Sequence, residues 1–370
     1  MKKPSSFLIL SCILYLAAAA PGVNAQAPST APVQAVAAPA QTPPPPAQPP
    51  LTPPAPVQPP QIQPPQAPPA QPAPPPAPPA QAKPAKTYDL SDKPGFCIFG
   101  GNSGKPFNSE AAFRSVIWKS DVVYVGESHD QIKDHLAQLE ALKALRVVRG
   151  AKVAVGFEML NMTLQPLLDD YAAGKITEEE FLAKADWAKE WGFDFNLYKP
   201  IFDYIIQNKF RALALNVPKK IVSKIARAGL AGLDADDKKF LPDPVTITTN
   251  KKYLDYLKTS FDGHGSSPMA KMFTWENYLA SMAAWNEGMG AKIAEFVNAN
   301  PGWSVLVVAG NGHIMYNAAI PASVKARTTK AYQASFYTED AAACPAALPK
   351  AAKDTANYVW YINHTVKAKK

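Results

Sequence analysis

Between Lys3 and Lys83 the chain carries no Asp, Glu, Lys or Arg, and 25 of its 39 prolines fall between Pro28 and Pro84. No single globular fold can absorb such a stretch. Proline lacks the backbone donor that helices and sheet interiors require. A run of Pro, Ala and Gln also buries too little apolar surface to offset its ordering entropy. Residues 26–86 are therefore read as a disordered arm, extended in the manner of polyproline II. The remainder, 87–370, is long enough for one large domain.

Ahead of the arm, residues 1–25 have the layout of a secretory signal. Lys2 and Lys3 form the positive end, Phe7 to Ala20 is apolar, and Val23-Asn24-Ala25 offers a small-x-small cleavage site. A competing reading takes Leu8 to Cys12 as a lipidation signal with Cys12 acylated. The apolar run before Cys12 is about five residues, short for the ~7–15 expected, which favours cleavage after Ala25. Both readings send the chain out of the cytoplasm, to the periplasm or outer membrane of a Gram-negative bacterium. The arm then either tethers the domain to a membrane or trails from its N-terminus. In an oxidising compartment Cys97 and Cys344 become candidates for a disulfide joining the first and last segments of the domain, two separate buried thiols being the alternative.

The formal charge of +8 is dispersed. Its densest points, Lys219-Lys220, Lys238-Lys239, Lys251-Lys252 and the C-terminal lysines, are neither long blocks nor interleaved with aromatics, which argues against a nucleic-acid surface.

Past residue 95 the pattern is that of an α/β fold. Val122–Val125, Val153–Phe157, Arg211–Leu215 and Val305–Ala309 are short apolar runs separated by helical periodicities such as Gln131–Arg149 and Lys219–Ala228. Near-continuous apolar strands alternating with helices predict a mostly parallel sheet buried on both faces, with flanking helices. The long second and third crossovers predict a helical cap, inserted at about 160–208 and 235–299. Ala331–Tyr337 and Tyr358–Ile362 read as further strands, taken as antiparallel edges.

Four of these strands run into a chemically competent group. Glu127 and His129 follow the first, Glu158 the second, Asn216 the third and His313 the fourth. Ligands of open parallel sheets bind outside the carboxyl ends of the strands, so these residues are expected to converge. Only five histidines are present, and His129 and His313 both sit in a Gly-x-x-His step after a strand. Imidazole with carboxylate serves acid–base catalysis and binds Zn or Mn. The candidate catalytic set is Glu127, His129, Glu158 and His313, and the candidate metal set His129, His313 and Glu127. His135 is placed to reach the same crevice. Asp130 is read as the N-cap of the following helix. His264 and His364 are read as surface residues. There is no Gly-x-Ser-x-Gly elbow and no Cys-x-x-Cys pair.

Several segments, taken in order, resemble one family. They are Val125-Gly126-Glu127-Ser128-His129-Asp130 with His135 and Gln138, then Phe157-Glu158-Met159, Trp191-Gly192-Phe193-Asp194 through Tyr198-Lys199-Pro200, Asn216-Val217-Pro218-Lys219, and Ala309-Gly310-Asn311-Gly312-His313. Together they resemble the ChaN-like haem-binding lipoproteins, akin to the wider Tiki, TraB and erythromycin-esterase group. The resemblance implies an α/β fold and haem binding connected with iron uptake, with His129, His135, His313 and Tyr316 as candidate haem contacts. For the wider group it implies metal-dependent hydrolysis through the two Gly-x-x-His motifs and a Glu. Lys219 stands where the family has Arg, and Asn286 where it has Asp in a Trp-Asp-Glu motif. Both changes weaken hydrolysis more than binding. Expected partners are haem or another small molecule, a membrane reached through the N-terminus, and a second copy of the chain as a homodimer.

Overall fold

The computed structural model describes residues 95–263, 273–328 and 330–363. The signal, the proline-rich arm, Cys12, His264 and His364 lie outside the described residues. Seven strands form one sheet: β1 (Cys97–Gly100), β2 (Val122–Glu127), β3 (Val153–Asn161), β4 (Arg211–Asn216), β5 (Ser304–Gly310), β6 (Gln333–Asp340) and β7 (Tyr358–Ile362). Their order is β1-β7-β6-β2-β5-β3-β4. Every neighbouring pair is parallel except β1 with β7.

Strand alternation sorts the core into two layers. Val123, Val125, Val155, Phe157, Leu306 and Val308 point to one face, which helices Glu110–Lys119, Ile132–Arg149 and Lys199–Asn208 cover. Val122, Tyr124, Ala154, Val305, Val307 and Ala309 point to the other, covered by helices Lys219–Ala228, Trp275–Ala299 and Ile320–Arg327. With both faces dry, a strand such as β2 is buried at every residue, which is why it reads as an unbroken apolar run. The segment that follows β3 folds back over the strand ends, bringing Trp191 and Phe193 against His129.

Local signals set the helix ends. Ser109 caps helix Glu110–Lys119 by accepting the Ala112 N–H at 3.0 Å. Thr177 and Glu180 form a reciprocal capping box on helix Glu178–Lys184. Gly150, at φ 63°, closes helix Ile132–Arg149.

Two expectations need correction. The last two strands are not antiparallel edges. β6 pairs in parallel with β2, and β7 in parallel with β6. Strand direction is set by how the chain returns, and a return through helix Ile320–Arg327 leaves no local signature. The antiparallel edge is β1, whose four residues are too few to show a period. Asp130 is not the cap of helix Ile132–Arg149. Gln131 occupies that position and makes no side-chain cap bond. The loop is instead tied by Asp134, whose Oδ2 accepts the Ser128 N–H at 2.7 Å.

Cys97 on β1 and Cys344, in the connection from β6 to β7, are disulfide-bonded, with Cα atoms 5.6 Å apart. The bond closes 247 residues of sequence and pins the edge strand to the sheet's last connection. Long closed loops remove the most entropy from the unfolded chain. Replacing both cysteines by Ser is expected to lower unfolding free energy by about 2–5 kcal/mol. Urea unfolding of the double variant, with oxidised and reduced wild type beside it, measures this, and equal midpoints for all three would refute it.

Candidate functional site

β2 and β5 are neighbours in parallel register, with Gly126 beside Ala309 and Glu127 beside Gly310. This places the two Gly-x-x-His steps side by side, and each glycine clears space for the other motif. A Cβ on Gly126 would lie 2.0 Å from Asn311 Oδ1, and one on Gly310 would lie 2.9 Å from His129 Cε1. The repeated glycine is thus a mutual packing requirement. On the other side of β5, β3 advances four residues from Phe157 to Asn161 while β4 advances two from Ala214 to Asn216. The bulge contains Glu158, and such irregularities redirect side chains at strand ends.

Two buried carboxylates organise the site. Glu127 Oε1 accepts from His129 Nδ1 and from the Tyr198 hydroxyl, each at 2.7 Å. Its Oε2 accepts from Gln138 Nε2 at 2.7 Å and lies 3.5 Å from His135 Nδ1. Burial alone pushes the Glu127 carboxyl up. The neighbouring His135 and His129, with the hydrogen bonds from His129 and Gln138, outweigh it and hold the group below the usual carboxylate range. Burial pushes His129 down, but its bond to Glu127 and the Glu158 charge carry it above the ordinary imidazole value. Tyr198 is driven well above the usual phenol range, first by burial and then by Glu127, so it remains a donor.

Glu158 is the second carboxylate. Its Oε2 accepts the Gly310 N–H at 2.6 Å, and its Oε1 lies 3.1 Å from His313 Nε2. Burial again raises the carboxyl, and His313 nearby, His129 and the Gly310 bond bring it down to about 2. Asn216 Nδ2 donates to the Glu158 carbonyl at 2.7 Å, which fixes the bulge. Beyond His313, its Nδ1 lies 2.7 Å from Asn286 Oδ1.

A cleft opens above these groups, a cavity of about 50 Å³ lined by His129, Glu158, His313, Trp191, Trp285 and Lys219 among others. His129, Glu158 and His313 therefore converge as the sequence indicated. Glu127 and His135 lie behind them. His135 is fully buried, with Nδ1 3.0 Å from Gln138 Oε1 and Nε2 3.3 Å from the His129 carbonyl, so it braces the layer beneath the cleft. Tyr316 is half-buried, has a left-handed backbone at φ 57° and is not part of the cleft lining. Of the metal set His129, His313 and Glu127, Glu127 has both oxygens bonded to partners beneath the cleft, and the carboxylate nearest His313 is Glu158. Among the described residues, no three or more His, Cys, Asp or Glu side chains are grouped to hold a metal ion.

Sequence reasoning missed Tyr198 as the partner of Glu127, 71 residues away, and Tyr253, whose hydroxyl meets Asn286. Gln138 was visible only as part of a motif, although its i+3 spacing from His135 puts both on one helix face. It also missed Asp134, whose Oδ1 is buried without a partner.

A parallel α/β sheet with a histidine–carboxylate cleft at its strand ends defines the class of protein. Residues 115–324 match the family described as haem-binding uptake, Tiki superfamily, ChaN, and the chain belongs to that family. Among solved structures, cofacial-haem-bound ChaN of Campylobacter jejuni is similar at 17% identity and a TM-score of 0.54, covering 77% of this chain and 98% of that chain. A mutant erythromycin esterase, EreC, in its open conformation is similar at 11% identity and a TM-score of 0.37, covering 66% of this chain and 77% of that chain. No curated protein matches.

The carboxyl shifts fix a pH response. A carboxyl depressed in the folded state stabilises the fold above its ordinary value and loses that contribution as pH falls through the folded value. For Glu158 the window runs from 4.5 down to about 2. Glu158→Gln is expected to destabilise the protein at pH 7 by on the order of 3 kcal/mol and to flatten stability below pH 4.5. Thermal melts between pH 7 and pH 3 read both, and an unchanged acid limb would contradict the ion pair. Asp134 has the opposite sign. Burial, with Glu127 and Asp340 nearby, pushes its carboxyl up to about 7 despite the Ser128 hydrogen bond, so the folded form loses stability as pH rises from 3.8 through about 7. Asp134→Asn keeps an acceptor for Ser128 and is expected to melt higher than wild type at pH 8 but not at pH 3.

Proposed function

We propose that this chain binds haem across the mouth of the cleft, outside the cytoplasm, as part of iron acquisition. The observation that carries the reading is membership of the haem-binding uptake family over residues 115–324. The chemistry of the cleft fits such a ligand at its rim. A cavity of about 50 Å³ is far below the ~300–1,000 Å³ of pockets that enclose a ligand of drug size, so a porphyrin would lie over it. Trp191 and Trp285 offer apolar ring surface there. Lys219 Nζ donates to the Lys189 and Glu190 carbonyls at 3.2 and 3.3 Å, which leaves one of its three N–H groups for a propionate carboxylate. Bound haem is the cargo, and it brings iron and a large apolar plane. The chain's own part is to stack on that plane, pair its carboxylates and shield it from water. The Cys97–Cys344 disulfide supports an oxidising compartment, in line with the signal-like first 25 residues and with an arm able to tether the domain to a membrane.

Absorbance titration of the full chain with haemin tests this. Wild type should bind saturably with a shifted Soret band. Trp191→Ala and Lys219→Ala should each weaken binding on the order of tenfold, ~1.4 kcal/mol. A loss confined to Tyr316→Phe would move the ligand to the outer face of the domain. Absence of saturable binding by wild type would overturn the haem reading.

A further inference from the structure

Helices that join parallel strands return the chain to the edge where those strands begin, opposite the cleft. That edge gathers charge that is dispersed in the sequence. Lys119 ends helix Glu110–Lys119, and Arg146 and Arg149 end helix Ile132–Arg149. Lys152 precedes β3, Lys209 and Arg211 lie where helix Lys199–Asn208 gives way to β4, and Lys330 lies just before β6. These connections, 118–121, 146–152, 207–211 and 330–333, hold seven bases and one acid, Asp121. Asp121 is spent locally: its Oδ2 accepts the Tyr332 N–H at 3.0 Å, and its Oδ1 lies 3.5 Å from Arg149 Nη2. Cations at helix C-termini are favoured by the helix dipole, so the charge alone implies no partner.

The dipole does not account for the apolar surface beside that charge. Among the described residues four large hydrophobics are exposed, and three lie on this edge: Trp118 at 60%, Val147 at 68% and Tyr332 at 71%. Arg149 and Asp121 bind them into one patch. Arg149 Nη2 donates to the Trp118 and Ser120 carbonyls at 3.1 Å, and the Asp121 N–H donates to the Tyr332 carbonyl at 2.8 Å. Val147 stands two residues before Arg149 on the same helix. Trp and Tyr pair an apolar body with a polar tip, which suits the boundary between acyl chains and water. Lys and Arg are drawn to anionic headgroups, and their long stems lie along apolar surface. Four of the seven bases are lysine, which interfaces between proteins avoid, so the patch favours a lipid surface over a protein partner.

We infer that this edge of the sheet docks the domain on an anionic lipid bilayer, with Trp118, Val147 and Tyr332 entering the interface and the surrounding bases pairing with lipid phosphates. The six residues of β2 carry the chain from this edge to Glu127, about 20 Å of strand, so the docked domain keeps its cleft open to water on the far side. The inference needs neither haem in the cleft nor an anchor on the N-terminal arm.

Tryptophan fluorescence of the full chain, titrated with vesicles of brominated phosphatidylglycerol and phosphatidylethanolamine, tests it. Bromine quenches rings that enter the bilayer, and the other six tryptophans are buried or half-buried. Part of the wild-type emission should be quenched, and Trp118→Phe, which keeps a ring at that place, should lose that part. The lipid concentration giving half of this quench should rise on the order of tenfold in Lys119→Glu with Lys330→Glu, and likewise when brominated phosphatidylcholine replaces phosphatidylglycerol. Equal quenching of wild type and Trp118→Phe overturns the inference, because uptake through the N-terminal residues would leave Trp118 in water. An unchanged half-quench concentration in the charge-reversed variant overturns it too. Binding to heparin with no quenching by vesicles would give the edge to a soluble polyanion and also overturn it.

Discussion

The structure of the site follows from the need to satisfy two ionised carboxylates buried at strand ends. An unpaired carboxylate out of water costs several kcal/mol even after relaxation, so each must be surrounded by donors. Glu127 recruits donors from three places in the chain: His129 two residues on, Gln138 on the next helix, and Tyr198 from beyond β3. Through Tyr198 this demand reaches the cleft wall, because Trp191 Nε1 donates to the Tyr198 oxygen at 3.1 Å. Trp191 and His129 are thus both tied to one buried charge. Glu158 does the same on the other side, fixing His313 and the backbone of Gly310. Removing either carboxylate would release a wall of the cleft as well as an ion pair.

Parallel pairing of β2 with β5 makes these two demands compatible. Because Glu127 and Gly310 are direct neighbours, a side chain at 310 would drive His129 out of line, and one at 126 would displace Asn311. Asn311 in turn bonds both the N–H and the carbonyl of Thr338 on β6, so the glycines couple three adjacent strands at their ends. The bulge in β3 completes the arrangement by bringing Glu158 within reach of both β5 and His313.

How much of this the sequence disclosed depends on how local each cause is. The buried strands were legible because a sheet covered on both faces leaves an unbroken apolar run, as in β2 and β5. The convergence of His129, Glu158 and His313 was legible because strand ends in a parallel sheet share one edge. Tyr198 and Tyr253 were not, since their partners are 71 and 33 residues away and a buried tyrosine looks the same in sequence whether or not its hydroxyl is used. The direction of β6 and β7 escaped for a related reason: pairing partners such as Val122 and Gln333 are far apart in sequence, and nothing in either strand encodes the other. The sequence leaves the role of Glu127 open because a carboxylate beside a histidine signals a metal ligand and an orienting partner equally well.

The two Gly-x-x-His steps share a spacing but differ in what stands behind each ring. Behind His129 is a carboxylate, Glu127, which accepts a hydrogen bond from Nδ1 and leaves Nε2 toward the cleft. Behind His313 is a neutral amide whose polarity is set by Tyr253, while the carboxylate, Glu158, stands in front at Nε2. Side-by-side strands hold the two rings about one cleft, and a carboxylate on the adjacent strand lies between them.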